Sequence, residues 1–412
     1  MGIVVQKFGG TSVGSVERIR KVADTVTRTA DQGHQVVVVV SAMGKSTDEL
    51  VDLAFQISER PAPREMDMLL TTGEQVTIAL LTMALQERGY KARSMTGWQA
   101  GIQTDPVHGK ALVKKVDTKP ITESLERGEI VVVAGFQGIS ADGQITTLGR
   151  GGSDTTAVTL AAALHADYCE IYTDVTGVYT ADPRVVPLAR KIDEISYEEM
   201  LELAHLGAGV LHPRSVEGAL LHQVHLVVRS SFVDEPGTWV KEADMMETEL
   251  NVRGIAHDLK VARIKVLGLP NRENTLTRLF ACLADAHINV DMIVQSEHDH
   301  EHIDVAFSVD EGEGEEARQV LQAAKENLGF AKILSESGLA KVSAVGVGMM
   351  TRPGVAAKMF ATLSEAGIRI KMVSTSEIKI SCVVEREDAL EAVQRLHHAF
   401  GLDAKELAEV AQ

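Results

Sequence analysis

A lysine and two glycines follow the first strand-like segment of the chain, in the sequence Lys7-Phe8-Gly9-Gly10. A glycine-rich turn between a strand and a helix directs backbone N–H groups towards the space in front of the helix, where they bind anions. The sequence therefore predicts a phosphate site with Lys7 as the adjacent cation. The alternative is an ordinary tight turn with a solvated lysine.

Two common nucleotide-binding fingerprints are missing from the chain. A Walker A loop requires G-x-x-x-x-G-K-[ST], but Ser15 follows Gly14, and the triplet at 44–46 has Val39 where the first glycine belongs. No G-x-G-x-x-G follows the first strand either. A phosphate site at Lys7 therefore belongs to another α/β fold.

The segment TTLGRGGSDTTA (146–157) is a second candidate anion site. Arg150 can form paired hydrogen bonds with a carboxylate or phosphate. The N–H groups of Gly151, Gly152, Ser153 and Asp154, at a helix start, can hold the oxygens of a transferring group. The alternative is a glycine-rich hairpin end with a helix cap.

A third candidate is YTDVTGVYTADPR (172–184), which follows the strand YCEIY. Ligands of open α/β sheets bind at the carboxyl ends of strands. Asp174 is suited to position a lysine or a metal-bound phosphate, Tyr179 to face a base, and Arg184 to lie near phosphates. Thr173 and Asp182 belong to the same loop. The alternative is an Asp-Pro turn with solvated charges.

Gly73 and Glu74 lie inside the apolar helix predicted over 64–88. Glycine in a helix interior costs about 1 kcal/mol relative to alanine, so a neighbour or ligand is expected to need the space. Glu74 is then a candidate substrate contact. The alternative is a charged residue on an ordinary amphipathic helix.

Composition limits the class of protein. The chain has 412 residues and a formal net charge of −17, which disfavours nucleic acid or an anionic membrane as the main partner. No signal peptide or stretch of about 20 apolar residues is recognisable, so a cytoplasmic location is expected. The three cysteines are far apart and are expected to be reduced. The histidines show no metal-ligand spacing, and the run His298, His300, His302 is interpreted as a solvated hairpin tip.

Strands alternate with helices up to about residue 230. Strand-like runs such as VVVVV (36–40) and IVVVA (130–134) are apolar on both faces, as strands are when helices cover both sides of a mostly parallel sheet. The first half is therefore predicted to be a three-layer α/β domain, with helices over Val16–Thr29, 47–60 and 64–88.

The second half contains a duplication. Residues 272–297 align with 352–377, and Phe280/Phe360, Leu283/Leu363 and Met292/Met372 are among the matching pairs. Each copy has the pattern of a small α+β module in which two helices alternate with strands. The segment 231–250, with Pro236-Gly237 and many charges, is predicted to connect the two halves. The predicted domains are 1–245, 262–337 and 342–412.

These motifs, in this order, resemble the aspartokinases of the amino-acid kinase family. The motifs are KFGGTSVGS (7–15), VVSAMGKSTDEL (39–50), TTGEQ (71–75), GFQG (135–138) and the two loops 146–157 and 172–184. The resemblance covers nearly the whole chain, and the duplicated modules resemble paired, ferredoxin-like ACT domains. It implies transfer of the γ-phosphoryl group of ATP, with Mg²⁺ carried by the ATP phosphates, to the side chain of L-aspartate.

The resemblance also implies residue roles. Catalysis is assigned to Lys7, Arg150, Asp154 and Asp174. Nucleotide contacts are assigned to Lys7, Phe8, Gly9, Gly10, Ser41, Thr173, Asp174, Tyr179, Asp182 and Arg184. Aspartate contacts are assigned to Thr47, Glu74, Arg150, Gly151, Gly152, Ser153 and Asp154. No dedicated protein metal site is implied.

The paired ACT domains imply inhibition by lysine, threonine or both. The candidate effector contacts are Asn274, Thr275, Leu276, Thr277, Arg278, Leu279, Asp291, Met292 and Ile293. Two departures from the family pattern occur: Gly209 replaces a lysine often found near the nucleotide, and the first module has NREN (271–274) where the second has TRPG (351–354).

Exposed edges of the ACT sheets predict side-by-side pairing of chains in a homo-oligomer. Assembly with a shorter, ACT-only product that starts internally near Met245 is an alternative that the sequence does not decide. Two alternatives for function stay open at this point. The chain could phosphorylate another carboxylate, such as glutamate or acetylglutamate, or it could be an amino-acid sensor without activity.

Overall fold

A computed structural model of the chain describes residues 2–206, 210–242, 251–297, 299–350 and 353–403. In its first half, strands and helices alternate. The strands are β1 (Ile3–Phe8), β2 (Gln35–Val40), β3 (Ala92–Met95), β4 (Ile102–Thr104), β5 (Val113–Val116), β6 (Ile130–Ala134), β7 (Gln137–Ser140), β8 (Ile145–Thr147), β9 (Tyr168–Thr173), β10 (Glu194–Ser196), β11 (Leu226–Ser230) and β12 (Thr238–Lys241). The helices are α1 (Val16–Asp31), α2 (Ser46–Ile57), α3 (Pro63–Glu87), α4 (Lys119–Glu126), α5 (Gly152–Ala163), α6 (Tyr197–His205) and α7 (Pro213–His222).

The main sheet has eight strands in the order β10-β12-β11-β9-β1-β2-β6-β3, and only the β11/β12 pair is antiparallel. Side chains of β2 alternate between two cores: Val37 and Val39 pack on one face, and Val36, Val38 and Val40 on the other. Helices α1 and α3 cover the second face, while α4 to α7 cover the first. The continuous valine run is therefore buried on both sides, and the predicted three-layer fold is confirmed.

A second, four-stranded sheet has the order β5-β4-β7-β8. The sequence did not indicate it, because its strands have only three or four residues each. Its last strand, β8, ends at Thr147, immediately before the glycine-rich loop at 149–152. This sheet therefore determines where that loop begins.

The second half forms one continuous sheet of six strands in the order β14-β15-β13-β16-β18-β17. The strands are β13 (Gly254–Pro270), β14 (Ile293–Glu297), β15 (His302–Asp310), β16 (Lys332–Val345), β17 (Met372–Thr375) and β18 (Lys379–Glu385). The helices are α8 (Thr275–Asp285), α9 (Gly314–Ala323), α10 (Lys325–Leu328), α11 (Val355–Glu365) and α12 (Ala389–Ala399), with short 3₁₀ turns at Glu311–Glu313, Val347–Met350 and Arg386–Asp388. The two predicted α+β modules are confirmed, each with its own hydrophobic core.

The long strands β13 and β16 join the two modules. Residues 261–267 of β13 pair with 332–339 of β16 in the first module, whereas 254–258 pair with 341–345 in the second. Val252 and Ile255 pack in the core of the second module, although they precede the first in the chain. The modules are therefore interleaved: the second takes a strand from before the first.

Among the described residues, helix α3 alone is long and apolar enough to cross a membrane by length and composition, and 44% of its apolar window is buried inside the protein. It packs against the main sheet through Ile78, Leu81 and Leu85. Its buried face also carries Asp67 and Glu74. These features are typical of a core helix.

Candidate active site

A cleft of about 1540 Å³ opens beside the carboxyl ends of β1, β2 and β6. Adjacent parallel strands end at the same edge of a sheet, so the segments that follow them meet there. The first two sequence-predicted loops come together in this cleft. It is lined by Lys7, Ser41, Thr47, Asp67, Glu74, Phe136, Thr147 to Asp154, His212 and Arg214, among others.

Lys7 and Asp154 form an ion pair in this cleft, with Nζ 2.6 Å from Oδ1. Lys7 belongs to β1 and Asp154 to the first turn of α5. Both side chains are about seven-eighths buried, at 12% and 13% exposure, so solvent screens the pair only weakly. The pair joins the first two predicted loops and keeps the lysine ammonium at the N-terminus of α5.

The N-terminus of α5 faces the cleft. Its first N–H groups have no acceptor within the helix and carry the positive end of the helix dipole. Gly151, immediately before the helix, has a φ of 67°, a conformation that glycine adopts without strain. The hydroxyl of Ser41 donates to Oγ of Ser153 over 3.0 Å. The geometry therefore combines a lysine and a helix terminus into one anion site.

Phe8 and Gly10 support the turn after β1 without offering side chains to a ligand. The Phe8 ring is buried and stacks on Tyr172, with 4.5 Å between ring centroids. A Cβ on Gly10 would lie 3.0 Å from the carbonyl oxygen of Ala42. A nucleotide contact by Phe8 is therefore limited to its backbone.

Glu74 points towards the cleft from α3 and is only 3% exposed. Its Oε1 accepts a hydrogen bond from the Ala42 N–H over 3.2 Å, while Oε2 has no partner among the described residues. Burial raises the pKa of Glu74 to about 7. The unpartnered oxygen is placed to receive a cationic group of a ligand.

Arg150 and Thr47 also line the cleft. Arg150 is exposed, and no carboxylate within the described ranges pairs with its guanidinium. An arginine without an internal partner is available to a carboxylate or phosphate ligand. The cleft thus brings together Arg150, the Lys7–Asp154 pair and Glu74.

The third predicted loop lies at the end of β9, the strand next to β1. The Thr173 hydroxyl donates to Asp174 over 3.1 Å, and the Tyr179 hydroxyl lies 2.7 Å from that of Thr176. Asp182 and Arg184 form an ion pair at 2.8 Å. These residues are neighbours of the Lys7 strand but do not line the cleft itself. They therefore form a separate part of the site, beside the Phe8–Tyr172 stack.

Among the cleft residues that the sequence analysis did not assign are Asp67, His212 and Arg214. Asp67 is only 1% exposed, which is unusual for a carboxylate. The signal in the sequence was a charged residue within a helix predicted to be apolar. His212 accepts the Arg214 N–H at Nδ1 over 3.3 Å, so in the neutral imidazole the proton lies on Nε2. Burial lowers the pKa of His212, against the nearby charge of Asp154, which raises it.

The candidate effector residues have different environments. Leu279 and Met292 are core residues at 0% and 4% exposure, so only their backbones can contact a ligand. Thr275 is also buried, and its hydroxyl donates to the Pro270 carbonyl over 2.6 Å. Asp291 pairs with Lys341, and Ile293 is half exposed on the edge strand β14.

Four sequence observations fall wholly or partly on residues that the structure does not describe. Gly209 and Met245 lie outside the described residues, as do Thr351 and Arg352 of the TRPG loop and His298 of the histidine run. Within the described part of that run, His302 pairs with Asp299, and Nδ1 lies 2.9 Å from Oδ1. In the described ranges, no group of three or more His, Cys, Asp or Glu side chains has metal-binding geometry.

Comparisons with known proteins cover the whole chain. Residues 2–230 match the family model of the amino acid kinase family, and residues 264–324 and 342–400 match that of the ACT domain. An aspartokinase from Bacillus sp. (strain MGA3) is 60% identical over 402 residues, which are 98% of each chain.

Two solved structures are also similar. A crystal structure of E. coli aspartokinase III in complex with aspartate and ADP, described as the R-state, matches with a TM-score of 0.82 at 30% identity over 96% of this chain and 99% of that one. The same E. coli enzyme in complex with lysine and aspartate, described as the T-state, matches with a TM-score of 0.76 at 29% identity over 97% and 99%.

Proposed function

The chain belongs to the aspartokinases of the amino acid kinase family, and we propose that its Lys7–Asp154 cleft is where ATP phosphorylates the side-chain carboxylate of L-aspartate. The product of an aspartokinase is 4-phospho-L-aspartate, at the first step towards lysine, threonine and methionine. The observation that carries the proposal is the position of the Lys7–Asp154 pair at the N-terminus of α5, in one cleft with Glu74 and Arg150.

The chemistry needs charge neutralisation more than acid or base catalysis. A carboxylate oxygen attacks the γ-phosphorus, the bond from phosphorus to the bridging oxygen breaks, and ADP leaves with that electron pair. Carboxylates have pKa values near 4, so the nucleophile is already ionised at pH 7 and no general base is required. Lys7, the Gly10 N–H group and the α5 N-terminus stabilise the charge on the transferring phosphoryl group. The Gly9 N–H, which the sequence assigned to the same role, donates instead to the Tyr172 carbonyl over 3.4 Å.

The aspartate subsite is assigned to the other side of the cleft. Glu74 receives the substrate ammonium at its unpartnered Oε2, and Arg150 forms paired hydrogen bonds with a substrate carboxylate. Thr47 and the turn from Gly151 to Asp154 complete this subsite. Together these contacts fix the second carboxylate of aspartate next to Lys7.

The nucleotide subsite is assigned to Ser41 and the β9 loop. Its remaining residues are Thr173, Asp174, Tyr179, Asp182 and Arg184. The E. coli relative was solved with ADP, which supports nucleotide binding by this fold. Magnesium would enter with the ATP phosphates, whose charge it neutralises, and the exposed carboxylate of Asp174 is the candidate protein contact.

The test is hydroxamate formation, which reports an acyl phosphate trapped by hydroxylamine. We expect ATP-dependent product with L-aspartate and loss of it in Lys7→Ala. Lys21→Ala is a matched control, because Lys21 is an exposed lysine on α1 that pairs with Glu17 and does not line the cleft. Turnover with glutamate or acetylglutamate instead of aspartate would move the substrate assignment. No turnover with any carboxylate would favour a sensor without activity.

Regulation is the second part of the proposal. The ACT modules are proposed to bind lysine, threonine or both and to lower kinase activity. The E. coli relative was solved with lysine in its T-state, and this structure is more similar to the R-state. An effector shifts such an equilibrium only through its different affinities for the two states. Isothermal titration with each amino acid tests binding, and absence of heat with both would refute this part.

Self-association and location are proposed on the same basis. Strand β14 is an edge strand, and its Ile293 and Val294 are 51% and 38% exposed. Edge strands of this kind pair with another chain, so a homo-oligomer is expected, and light scattering measures it. Association with an ACT-only product of the same gene and a cytoplasmic location stay predictions.

A further inference from the structure

Arg214 joins two backbone segments at the rim of the aspartate subsite. It lies in the first turn of α7, and its Nη1 donates to the Leu148 carbonyl over 2.6 Å. Its Nη2 donates to the Ala111 carbonyl over 3.2 Å. Leu148 and Ala111 are both completely buried. One guanidinium therefore holds together two segments that are 37 positions apart in the sequence.

The same two segments are also held by Asp67 of α3. Its Oδ1 accepts from the Thr147 hydroxyl over 2.6 Å and from the Gly109 N–H over 3.1 Å. Its Oδ2 lies 2.7 Å from Nδ1 of His108. The two segments also bond directly to each other, because the Ala111 N–H donates to the Thr147 carbonyl over 2.9 Å. The segment that leads into the glycine-rich loop is thus anchored by two side chains, those of Arg214 and Asp67.

Arg150 follows this fixed segment by only two residues. It has a glycine on each side, both with positive φ, so its immediate neighbours have no side chains that could hold its backbone in place. No described carboxylate holds its guanidinium. The position of Arg150 therefore depends on the hydrogen bonds that hold Thr147 and Leu148 in place. A misplacement of about 1 Å at a reacting site can cost about 100-fold in rate.

We propose that Arg214 is a positioning residue for aspartate, which fixes the Arg150 loop through the carbonyls of Leu148 and Ala111 and does not bind the substrate itself. This inference rests on the proposed aspartate subsite. Two of the five guanidinium N–H donors of Arg214 are committed to backbone carbonyls, whereas no described carboxylate pairs with Arg150, so Arg150 is the better placed of the two to hold a substrate carboxylate.

The test is the steady-state kinetics of Arg214→Gln and Arg214→Lys in the full-length protein. We expect the KM for aspartate to rise at least 10-fold in Arg214→Gln and less in Arg214→Lys, which can still bond one carbonyl. The KM for ATP should stay within about twofold, because the guanidinium bonds of Arg214 within the described residues go to Leu148 and Ala111 and not to the β9 loop. An unchanged KM for aspartate in a folded Arg214→Gln variant would overturn the proposal.

Arg88→Gln is the matched control. The Arg88 guanidinium also donates to two backbone carbonyls, those of Ala84 and Arg20, and in addition to the Asp24 carboxylate, and it does not line the cleft. Loss of these hydrogen bonds should lower the free energy of unfolding in both Arg88→Gln and Arg214→Gln. Only Arg214→Gln should change the KM for aspartate. Arg214→Lys, which keeps the charge, provides the measurement if Arg214→Gln does not fold.

A double-mutant cycle separates positioning from direct binding. If Arg214 acts through Arg150, adding Arg214→Gln to Arg150→Ala should change the aspartate KM little further. Additive effects would show an independent contact and refute the positioning role. Failure of the proposed function gives a different result, since the wild-type protein would then show no turnover with aspartate.

Discussion

The hydroxyl of Thr180 lies 2.8 Å from Nε2 of His397, although 217 residues separate them in the sequence. Thr180 belongs to the β9 loop assigned to the nucleotide, and His397 to α12 of the second ACT module. Nδ1 of His397 faces Asp403 at 3.0 Å, so the Thr180 hydroxyl donates to Nε2 in the neutral tautomer. Burial lowers the pKa of His397, although the Asp403 carboxylate opposes this effect, and the ring therefore stays neutral.

Packing extends this contact. Ala181, Val186 and Ala189 of the loop lie in the same hydrophobic core as Val393 and Leu396 of α12. The loop therefore takes part of its support from the regulatory module. A structural change in the second ACT module therefore acts, through these contacts, on the loop that carries the residues assigned to ATP.

Thr180→Val tests this route while keeping the side-chain volume. It leaves His397 Nε2 and the Arg190 N–H without their partner, and we expect a loss of about 1–3 kcal/mol in the free energy of unfolding. The KM for ATP should rise several-fold with the aspartate KM unchanged. Chemical denaturation and initial-rate kinetics measure both. Thr82→Val is the control, since the buried Thr82 hydroxyl has no partner among the described residues and its loss should have little effect.

The sequence predicted the parts of this protein that depend on local pattern. The valine run of β2 predicted a strand buried on both faces, and the motifs predicted loops that the sheet then brings to one edge. The predicted need for space at Gly73 is also confirmed, because a Cβ there would lie 2.8 Å from that of Ala42. Each of these features repeats or is distinctive within about ten residues.

What the sequence could not predict depends on contacts between distant segments. The partners of Arg214 are backbone carbonyls, which leave no trace in side-chain patterns. The Thr180–His397 contact requires knowledge of how α12 packs on the β9 loop. The interleaving of the two modules, in which residues 254–258 pair with the second module, depends on the register of β13 with β16. A duplicated sequence does not specify this register.

Gly73→Ala is expected to destabilise the protein although alanine is the better helix former. The added Cβ would overlap that of Ala42, and overpacking of this kind typically costs 1–3 kcal/mol, more than the gain of about 1 kcal/mol in helix propensity. Displacement of α3 from Ala42 also stretches the hydrogen bond to Glu74, so the KM for aspartate should rise. Thermal unfolding and kinetics measure these effects.

Gly218→Ala is the counterpart within α7. A Cβ at Gly218 would lie 3.5 Å from Cγ1 of Val158, which is an ordinary contact distance. This variant should therefore be as stable as the wild type or more stable, by up to about 1 kcal/mol. Equal destabilisation of the two variants would mean that the space at Gly73 has no special role.

Glu74→Gln is expected to remove a pH dependence from aspartate binding. With a pKa of about 7, Glu74 is mostly protonated at pH 6 and mostly ionised at pH 8. Only the ionised form attracts the substrate ammonium, so the wild-type KM for aspartate should fall as the pH rises through 7. In Glu74→Gln the KM should be higher at pH 8 and nearly independent of pH between 6 and 8. The same fall in KM in the variant would exclude Glu74 as its cause.

The free energy of unfolding should fall as the pH rises, whereas aspartate binding should become tighter. Between pH 4.5 and 7, folded Glu74 keeps a proton that the unfolded chain has lost, so its contribution to stability is largest below pH 4.5 and is lost as the pH rises through 7. The full change is roughly 3 kcal/mol. Urea unfolding across this range should show a smaller decline in Glu74→Gln than in the wild type.

Lys341→Met is expected to tighten effector binding. Asp291 is a candidate contact for an effector ammonium, but in this structure it pairs with the Lys341 ammonium. The lysine therefore competes with the ligand, and a ligand that needs a state populated only a tenth of the time binds about 10-fold more weakly. Methionine keeps the buried stem of the side chain and removes the competitor. Isothermal titration with lysine and threonine should show an apparent Kd lower by about 3- to 10-fold.

Two further variants make this prediction specific. Asp291→Asn should weaken effector binding whether or not Lys341 is present, because it removes the proposed contact itself. Lys371→Met removes a similarly buried lysine that pairs with Glu336 and Glu385 instead, and it should leave the effector Kd unchanged. Weaker or unchanged binding in Lys341→Met would mean that Asp291 does not receive the effector ammonium, and that the Lys341–Asp291 pair serves only to hold β16 against the segment before β14.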